Sequence, residues 1–451
     1  MKRTIEPVRR MIGGTIRVPG DKSIAHRAAL LSILSKGKIT IRNFPNNADC
    51  LASLEAAKQF GVEARTEDDT LILIPPASIS VQPDSIIDCK NSGTTARLLA
   101  GIIAGSCVEA TLTGDESLRL RPMKRVIDPL TVMGAEIFAE NGRLPMRIRG
   151  KELSVSSEFE YDLPVASAQV KSALLLAGLA SSRAVTVREK TITRDHTEIM
   201  LAEIGNGVTV CEVKPVRTPD PIDPRKSKVK MPEPFKKEIR ISSEAQVTGG
   251  AIDIPGDIST AAFFLAAAAI SRRTITVENL GLNPTRTAFL DYLKSTGCKL
   301  EITDKTVVSG EPRGKVSVTG ASLKPRKISG ELTVGLIDEI PIISIMAAFT
   351  DGTTIIRDAG ELRFKESDRL IAIRENLQRM GVKCGILEDG LVIEGGKELS
   401  GADFQSYGDH RIAMAFSIAA LFLVGPSTID DVSVVNISCP DFYKLMDKII
   451  L

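Results

Sequence analysis

The chain has 451 residues, which is too long for one ordinary hydrophobic core, and its 43% apolar and 25% charged residues are typical of a globular protein. Its 58 basic and 56 acidic residues leave a net charge of only +2, which argues against a general nucleic-acid-binding protein. The apolar runs are too short to cross a bilayer, the first residues lack a signal peptide's apolar core, and the seven cysteines form no CxxC pair, so we expect a cytoplasmic protein with reduced thiols.

One design recurs six times along the chain, a short polar heading followed by an alanine-rich apolar run. Each run is apolar on nearly all sides, which is typical of a buried helix. The headings are rich in Asp, Asn, Ser and Gly, which favour helix N-termini. The six predicted helices span residues 21–34, 91–105, 167–180, 256–270, 338–349 and 408–423.

A β-branched stretch follows each apolar run and predicts a strand. The six predicted strands span residues 38–43, 109–114, 184–189, 274–279, 353–358 and 427–432. In several copies an amphipathic helix comes next and stops at a glycine before another strand, as in residues 50–64, 286–302 and 369–386. The repeated unit is therefore buried helix, strand, amphipathic helix, strand, at a spacing of roughly 70 residues.

Six units suggest a mixed α/β (α+β) fold of two pseudo-symmetric domains, each with three repeated units of buried helices behind β-sheets. Two Pro-Gly-Asp turns, beginning at Pro19 and Pro255, precede similar helices and resemble equivalent joints. We therefore predict one domain over residues 21–256 and a second over residues 1–20 plus 257–451.

A segment rich in proline and lysine interrupts the repeats. Residues 212–238 lack the periodicity of a helix or strand. They predict an exposed loop inserted between strands.

Several of the predicted helix N-termini carry cations or hydrogen-bond donors, although the helix after Pro255 does not. The residues concerned are Lys22, Ser23, His26 and Arg27 in the first heading, Asn91, Gly93, Thr94 and Arg97 in the second, Ser167, Gln169 and Lys171 in the third, and His410 and Arg411 in the sixth. The loops 118–125 and 362–369 add further arginines and lysines. Because helix N-termini also favour anions, the pattern predicts a site for a small ligand with phosphate and carboxylate groups.

The same residues admit structural interpretations. A basic residue at one loop–helix junction is often only solvated surface, so the prediction depends on the joint pattern. Asp338 precedes an apolar helix, where helix capping and catalysis are both open, and Glu366 could be only an ion-pair partner of Arg369. Among the histidines, His410 is the better functional candidate because it heads an apolar helix beside Arg411.

No cofactor motif accompanies this predicted site. The stretch before Lys22 resembles a P-loop, but Asp21 stands where that motif needs glycine. No GxGxxG follows a strand, and the three histidines are far from one another and from any cysteine cluster. We therefore expect neither a nucleotide nor a metal cofactor.

The charged headings and loops together resemble the 5-enolpyruvylshikimate-3-phosphate synthase family. The matching segments, in family order, are GDKSIAHR, NSGTTAR, LRLRPM, SAQVKSALLLAGL, RDHTE, GDISTAAFFLAAA, IDEIP, ELRFKESDRL and GDHRIAMA. GDKS, SAQVK, RDHTE and NPTR resemble the second class of the family, which is often associated with glyphosate tolerance. The resemblance implies the enolpyruvyl transferase fold, with the site in a cleft between two domains of three repeats each.

The resemblance also implies a reaction. The family transfers the enolpyruvyl group of phosphoenolpyruvate to the 5-hydroxyl of shikimate 3-phosphate and releases phosphate, by addition and elimination through a tetrahedral intermediate, in the shikimate pathway of aromatic amino-acid biosynthesis. The implied partners are therefore these two small substrates, with no nucleic acid, no membrane and no cofactor. We expect the protein to be a monomer.

Residue roles follow from the same resemblance. The residues implied for shikimate 3-phosphate are Lys22, Ser23, Arg27, Ser167, Ala168, Gln169, Asp338 and Lys365. Those implied for phosphoenolpyruvate are Lys22, Gly93, Arg121, Gln169, Arg369 and Arg411, with Asn91, Thr94 and His410 in support. Asp338, Glu366 and Lys22 would be catalytic. Asp338 would take the hydroxyl proton, and Glu366 would protonate the methylene carbon, which calls for a partly protonated carboxyl.

Two alternatives stay open. UDP-N-acetylglucosamine enolpyruvyl transferase shares the fold and normally carries a reactive cysteine in the loop that corresponds to residues 115–125, where this chain has none. A non-catalytic anion-binding repeat protein would not need both Asp338 and Glu366.

Overall fold

The computed structural model describes residues 1–8, 11–150, 158–213 and 235–451. Most of the loop predicted at 212–238 lies outside the described residues. The strands are β1 (Arg3–Ile5), β2 (Gly14–Arg17), β3 (Ile39–Arg42), β4 (Glu63–Glu67), β5 (Thr70–Ile74), β6 (Ile86–Asp88), β7 (Glu109–Thr113), β8 (Glu136–Ala139), β9 (Met146–Arg149), β10 (Phe159–Asp162), β11 (Val185–Glu189), β12 (Val208–Glu212), β13 (Lys237–Ile241), β14 (Gly250–Asp253), β15 (Thr274–Gly281), β16 (Lys299–Val308), β17 (Glu311–Thr319), β18 (Lys327–Ile328), β19 (Gly352–Ile356), β20 (Lys383–Leu387), β21 (Gly390–Gly395), β22 (Asp403–Phe404) and β23 (Ser427–Ile429).

Helices alternate with these strands along the chain. The α-helices are α1 (Lys22–Leu31), α2 (Ala48–Gln59), α3 (Gly93–Gly105), α4 (Glu116–Leu120), α5 (Lys124–Met133), α6 (Ala168–Ser181), α7 (His196–Ile204), α8 (Ile258–Ser271), α9 (Ala288–Ser295), α10 (Glu331–Leu336), α11 (Ile340–Ala348), α12 (Arg369–Arg379), α13 (His410–Ala420) and α14 (Phe442–Lys448). Short 3-10 turns span Glu140–Gly142, Gly360–Phe364 and Ser433–Ile437.

The strands form six small sheets that repeat one topology. The sheet orders are β14-β3-β5-β4, β6-β7-β9-β8, β10-β11-β13-β12, β2-β15-β17-β16, β18-β19-β21-β20 and β22-β23-β1. In every sheet the first pair in this order is parallel and the later pairs are antiparallel. The mixed α/β fold of six repeated units, predicted from the recurring apolar runs, is therefore confirmed.

Each of the six predicted buried helices is present within two or three residues of its predicted limits, as α1, α3, α6, α8, α11 and α13. The amphipathic helices α2, α9 and α12 are followed by Gly61, Gly297 and Gly381 at φ of +87°, +106° and +94°. These left-handed values explain why glycine ends each helix. The strand predicted at 427–432 is shorter and ends at Ile429, and the next carboxylate, that of Asp430, accepts a hydrogen bond from the Ser406 amide.

The two Pro-Gly-Asp turns lie side by side. Gly20 and Gly256 form an antiparallel bridge, the Asp21 amide donates to the Pro255 carbonyl at 2.8 Å, and the Asp257 amide donates to the Pro19 carbonyl at 2.9 Å. Buried apolar side chains form two clusters on either side of this pair, one within residues 24–254 and the other within residues 5–18 and 258–449.

Helices α3 and α6 pack closely because α3 presents glycine at the contact. A Cβ added to Gly101 would lie 2.1 Å from the Ala173 carbonyl oxygen, and one added to Gly105 would lie 2.2 Å from the Ala177 carbonyl oxygen. These positions are four residues apart and so lie on one helix face. Any larger side chain there must push the helices apart.

We expect Gly101→Ala to lower the free energy of unfolding by roughly 1–3 kcal/mol, the range for overpacking a core, although alanine favours helix formation. Urea unfolding followed by circular dichroism measures the change. Gly385→Ala is the matched control, because a Cβ added there meets no atom within 4 Å. A Gly101→Ala protein as stable as the control would contradict the close-packing argument.

Candidate active site

Polar contacts join the starts of the buried helices. Helix α3 packs against α1 and α6, and α11 packs against α8 and α13. In the first group, Gln169 Nε2 donates to Thr94 Oγ1 at 3.0 Å. In the second group, Arg411 Nη1 donates to the Asp338 carbonyl oxygen at 2.7 Å. The helix starts that carry the predicted ligand-binding residues therefore meet in space.

Asp338 lies among four cations. Its carboxylate oxygens are 2.5 Å from Arg194 Nη2, 3.6 Å from Lys365 Nζ, 3.7 Å from Arg369 Nη1 and 3.9 Å from Arg411 Nη2. Burial by itself raises the pKa of this carboxyl, but the neighbouring cations outweigh burial and hold the pKa of Asp338 well below its usual value. Asp338 is therefore an ionised carboxylate in a strongly positive environment.

The capping role considered for Asp338 is excluded. Helix α11 begins at Ile340, its N-cap residue is Glu339, and no side chain caps it by a hydrogen bond. Glu339 instead accepts a hydrogen bond of 2.5 Å from the Ser259 hydroxyl at the start of α8. The Asp338 side chain thus forms ion pairs with the cations around it and does not cap the helix.

Glu366 is held by two arginines. It pairs with Arg369 Nη2, and its Oε1 is 3.5 Å from Arg121 Nη1. Burial raises the pKa of Glu366, but Arg369 and Arg121 outweigh burial, and the pKa lies well below its usual value. The expectation of a partly protonated Glu366 is therefore wrong for the ligand-free protein, because the arginines that approach it favour the carboxylate.

Lys22 is the first residue of α1, and Asp49 in the first turn of α2 fixes its direction. Lys22 Nζ donates to Asp49 Oδ2 at 2.6 Å. Burial lowers the pKa of Lys22, but Asp49 outweighs burial and the pKa is raised. Lys22 is therefore a positioned ammonium group rather than a proton donor at neutral pH.

Gly93 opens α3 beside two guanidinium groups. A Cβ added to Gly93 would lie 2.8 Å from Arg97 Nη1 and 3.4 Å from Arg121 Nη1. Arg97 donates to Gln169 Oε1 at 2.8 Å, and Arg121 donates to Asn91 Oδ1 at 2.7 Å. The predicted residues of the second and third headings thus lie around Gly93, held by hydrogen bonds to Arg97 and Arg121.

Three further residues predicted for shikimate 3-phosphate, Ser23, Ser167 and Ala168, lie at the starts of α1 and α6. Ser23 Oγ accepts hydrogen bonds of 3.4 Å from Arg194 Nη1 and from Arg286 Nη1. Ser167 is the N-cap residue of α6, and Ala168 is its first residue.

Arg27 is buried and already has partners on all three nitrogens. It donates to Thr197 Oγ1 at 2.7 Å, to the Ser23 carbonyl at 2.8 Å and to Ser172 Oγ at 3.0 Å. These bonds use three of the five N–H groups of the guanidinium, so Arg27 can donate to a ligand while it keeps them.

Lys171 does not belong with the anion-binding residues of its heading. Its side chain is 0% exposed, and its Nζ lies 2.8 Å from Glu198 Oε1 and 3.0 Å from Glu189 Oε2. This buried lysine lies between two buried carboxylates and ties α6 to β11 and α7. The sequence interpretation of Lys171 as part of the anion site is wrong.

The three histidines are all buried, each in a different setting. His26 Nδ1 is 2.7 Å from Ser53 Oγ, and His196 Nδ1 is 2.6 Å from Glu311 Oε1. Neither ring nitrogen of His410 has a hydrogen-bond partner among the described residues. Burial first and Lys22 second hold the pKa of His410 well below its usual value, so His410 is neutral beside Glu366.

Sequence reasoning missed four charged residues of this site. They are Asp49, Arg194, Arg286 and Asp409. Asp409 accepts a hydrogen bond of 2.7 Å from Arg369 Nε, and Arg286 Nη1 donates to Asp21 at 2.9 Å. Arg194 and Arg286 lie in RDHTE and NPTR, which the sequence analysis used only as family motifs, so those motifs were the available signal.

Across residues 1–8, 11–150, 158–213 and 235–451, no group of three or more His, Cys, Asp or Glu side chains is placed to hold a metal ion. In the same part of the chain, no helix is both long and apolar enough to cross a membrane.

The fold and the site define a class of protein, one with six repeated α/β units whose helix starts gather cations around ionised carboxylates. The family model that matches the chain is EPSP synthase (3-phosphoshikimate 1-carboxyvinyltransferase), over residues 7–446. The chain belongs to this family. The resemblance found in the sequence is confirmed, and both alternatives are set aside.

Individual relatives agree over nearly full length. The 3-phosphoshikimate 1-carboxyvinyltransferase of Anaeromyxobacter sp. (strain Fw109-5) is 44% identical over 438 residues, covering 96% of this chain and 95% of the relative. That of Salinibacter ruber is 42% identical, covering 97% and 96%. The EPSP synthase structure from Acinetobacter baumannii superposes with a TM-score of 0.81 at 35% identity, covering 100% of this chain and 98% of that chain.

The buried Lys171 and the partly exposed Lys365 should respond differently to substitution by methionine. Lys171→Met should lower the free energy of unfolding by about 3–5 kcal/mol, because it leaves Glu189 and Glu198 buried without a counter-charge. Lys365→Met should change it by less than about 1 kcal/mol, because Lys365 is 29% exposed. Urea unfolding at pH 7 measures both. Equal effects of the two substitutions would refute the argument that Lys171 is structural and Lys365 is not.

Proposed function

We propose that this chain transfers the enolpyruvyl group of phosphoenolpyruvate to the 5-hydroxyl of shikimate 3-phosphate and releases phosphate. The observation that carries the proposal is the pair of carboxylates, Asp338 and Glu366, held among arginines and lysines in a chain that matches the family over residues 7–446. Both substrates are multiply anionic, which suits such a concentration of guanidinium and ammonium groups.

Each substrate has a proposed set of contacts, and Lys22 and Gln169 belong to both sets. The residues proposed for shikimate 3-phosphate are Lys22, Ser23, Arg27, Ser167, Ala168, Gln169, Asp338 and Lys365. The residues proposed for phosphoenolpyruvate are Lys22, Gly93, Arg121, Gln169, Arg369 and Arg411, supported by Asn91, Thr94 and His410. We add Arg194 to the first set, because it contacts both Asp338 and Ser23.

Asp338 acts as the base in this proposal. It takes the proton of the 5-hydroxyl as that oxygen attacks C2 of phosphoenolpyruvate. Its low pKa keeps it ionised and ready to accept a proton. When the substrate phosphate takes a share of Lys365 and Arg194, those cations favour the Asp338 carboxylate less, and its pKa rises toward the value that a base needs.

Glu366 gives a proton to C3 of phosphoenolpyruvate and takes one back when phosphate leaves. This role needs the acid form, which Arg121 and Arg369 disfavour in the ligand-free protein. The phosphate and carboxylate of phosphoenolpyruvate bring negative charge to the same two arginines. The substrate therefore raises the pKa of Glu366 and supplies the condition for its own protonation. The cations stabilise the charge that develops on the leaving phosphate.

The two predicted domains, 21–256 and 1–20 plus 257–451, provide the walls of the cleft in this proposal. What supports the division is the pair of apolar clusters separated by the bridge between Gly20 and Gly256. Contacts such as Arg194 with Asp338, and the Ser117 hydroxyl with the Glu366 carbonyl at 3.0 Å, join residues of the two sides. The monomeric state and the cytoplasmic location stay predictions of the sequence.

Phosphate release by the wild-type protein should require both phosphoenolpyruvate and shikimate 3-phosphate. Asp338→Asn and Glu366→Gln should each lower turnover by roughly 100-fold or more, the range for loss of a general base or acid. Titration calorimetry should show that both variants still bind shikimate 3-phosphate, because most of the cations remain.

Two outcomes would contradict these assignments. Near-normal turnover in both variants would show that neither Asp338 nor Glu366 transfers a proton in the reaction. Phosphate release by the wild type with UDP-N-acetylglucosamine in place of shikimate 3-phosphate would instead overturn the proposed acceptor.

We expect shikimate 3-phosphate to reduce the radius of gyration measured by small-angle X-ray scattering. Arg194 and Arg121 pair with Asp338 and Glu366 of the other side, but the cations of the two sides outnumber these carboxylates, and an anionic ligand neutralises part of the remaining repulsion. Shikimate, which lacks the phosphate, is the control and should have a smaller effect. An unchanged radius with saturating shikimate 3-phosphate would argue against closure of the two domains.

A further inference from the structure

Four buried side chains form a continuous hydrogen-bonded chain beneath Lys22 and Gly93. His26 Nδ1 is 2.7 Å from Ser53 Oγ, Ser53 Oγ is 2.7 Å from Thr95 Oγ1, and Thr95 Oγ1 is 2.7 Å from Ser92 Oγ. All four residues are at most 1% exposed. The chain crosses from α1 through α2 to the start of α3, and none of these side chains has a role in the proposed reaction.

The donor and acceptor of each hydrogen bond follow from the contact between Thr95 and Ser92. The Thr95 hydroxyl donates to Ser92 Oγ, so Thr95 accepts from the Ser53 hydroxyl, and Ser53 in turn accepts from His26. This assigns the Nδ1–H tautomer to His26, and its Nε2 is the atom without a partner among the described residues. Burial first, then Lys22 and Arg27, hold the pKa of His26 well below its usual value, so the ring is neutral.

The His26–Ser53 contact repeats the Lys22–Asp49 contact one helical turn deeper. Lys22 and His26 are four residues apart on α1, and Asp49 and Ser53 are four residues apart on α2. The two helices are thus joined by a charged pair at the site and a neutral pair below it. Because the His26–Ser53 pair is neutral, it lies next to Lys22 without adding another buried charge.

At the other end of this series of hydrogen bonds, Ser92 holds the start of α3. Ser92 is the N-cap residue of α3, and its Oγ accepts the Thr95 amide at 3.1 Å as well as the Thr95 hydroxyl. Gly93 follows directly, and a Cβ added to it would lie 3.4 Å from Arg121 Nη1. A shift of Ser92 therefore shifts the backbone of Gly93 relative to Arg121 and Lys22.

We propose that His26, Ser53 and Thr95 are positioning residues, which hold the start of α3 in register with Lys22 and thereby set the affinity for phosphoenolpyruvate. The proposal rests on the proposed function, which assigns Lys22, Gly93 and Arg121 to that substrate. Ser53 and Thr95 each accept one hydrogen bond and donate another, so the loss of either hydroxyl takes a partner from the buried groups on both sides of it.

Thr95→Val keeps the shape of the side chain and removes the hydroxyl. It should raise the KM for phosphoenolpyruvate about 5- to 10-fold, the factor expected for one lost buried hydrogen bond. The kcat should fall by a smaller factor than the KM rises, and the Kd of shikimate 3-phosphate should stay unchanged. Ser53→Ala should reproduce this pattern. Thr95→Ser restores the hydroxyl and should restore the KM.

Thr350→Val is the matched control, because it removes a buried hydroxyl that donates to the Met346 carbonyl at the end of α11. It should leave the KM for phosphoenolpyruvate unchanged. A wild-type KM in Thr95→Val, an equal loss of affinity for both substrates, or a failure of Thr95→Ser to restore the KM would each overturn the proposal.

Hydrogen–deuterium exchange separates this proposal from the proposed function. Thr95→Val should speed exchange of the amides at the start of α3 and leave those at the start of α8 unchanged, whatever reaction the protein catalyses. Wild-type protein that releases no phosphate would overturn the proposed function alone. Unchanged exchange at the start of α3 would overturn the positioning role alone.

Discussion

The candidate site depends on one electrostatic constraint, which is that cations cannot be gathered in a buried region without nearby counter-charges. The cations concerned are Lys22, Arg121, Arg194, Lys365, Arg369 and Arg411, and the carboxylates that pair with them are Asp49, Asp338, Glu366 and Asp409. Each carboxylate lowers the cost of burying its neighbours. Two of these carboxylates, Asp338 and Glu366, are also the proposed base and acid, so the charge balance that stabilises the site is the one that the substrates must alter.

The repeated unit meets this constraint in two ways. The copy at α1 presents Lys22 to the site, with Asp49 as its partner. The copy at α8 has no cation in its heading, and its N-cap Asp257 instead binds Arg286, which also binds the N-cap Asp21 of α1. One guanidinium thus joins the equivalent N-cap residues of two repeats beside the paired Pro-Gly-Asp turns.

Local signals in the sequence were sufficient for most of the architecture. An apolar run such as that of α8 can only be stable as a helix when it is buried on all sides, and a glycine such as Gly297 ends a helix because it accepts a positive φ. These properties depend on neighbouring residues alone. The six buried helices and most of the strands after them were therefore predictable, as was a concentration of cations at the helix starts.

The sequence by itself determined the repeats, the helix starts and the family, whereas the tertiary structure decided which charged groups come together at the candidate site and which neutralise one another. Lys171 belongs to a polar helix heading like those that carry the other cations, yet only folding shows that it lies between two glutamates. Arg194 meets Asp338 from 144 positions away. The lowered pKa of Glu366 likewise depends on Arg121, which approaches from a distant part of the chain. Long-range charge pairing carries no local pattern, because Coulomb energy depends on distance in space and on burial rather than on spacing in sequence.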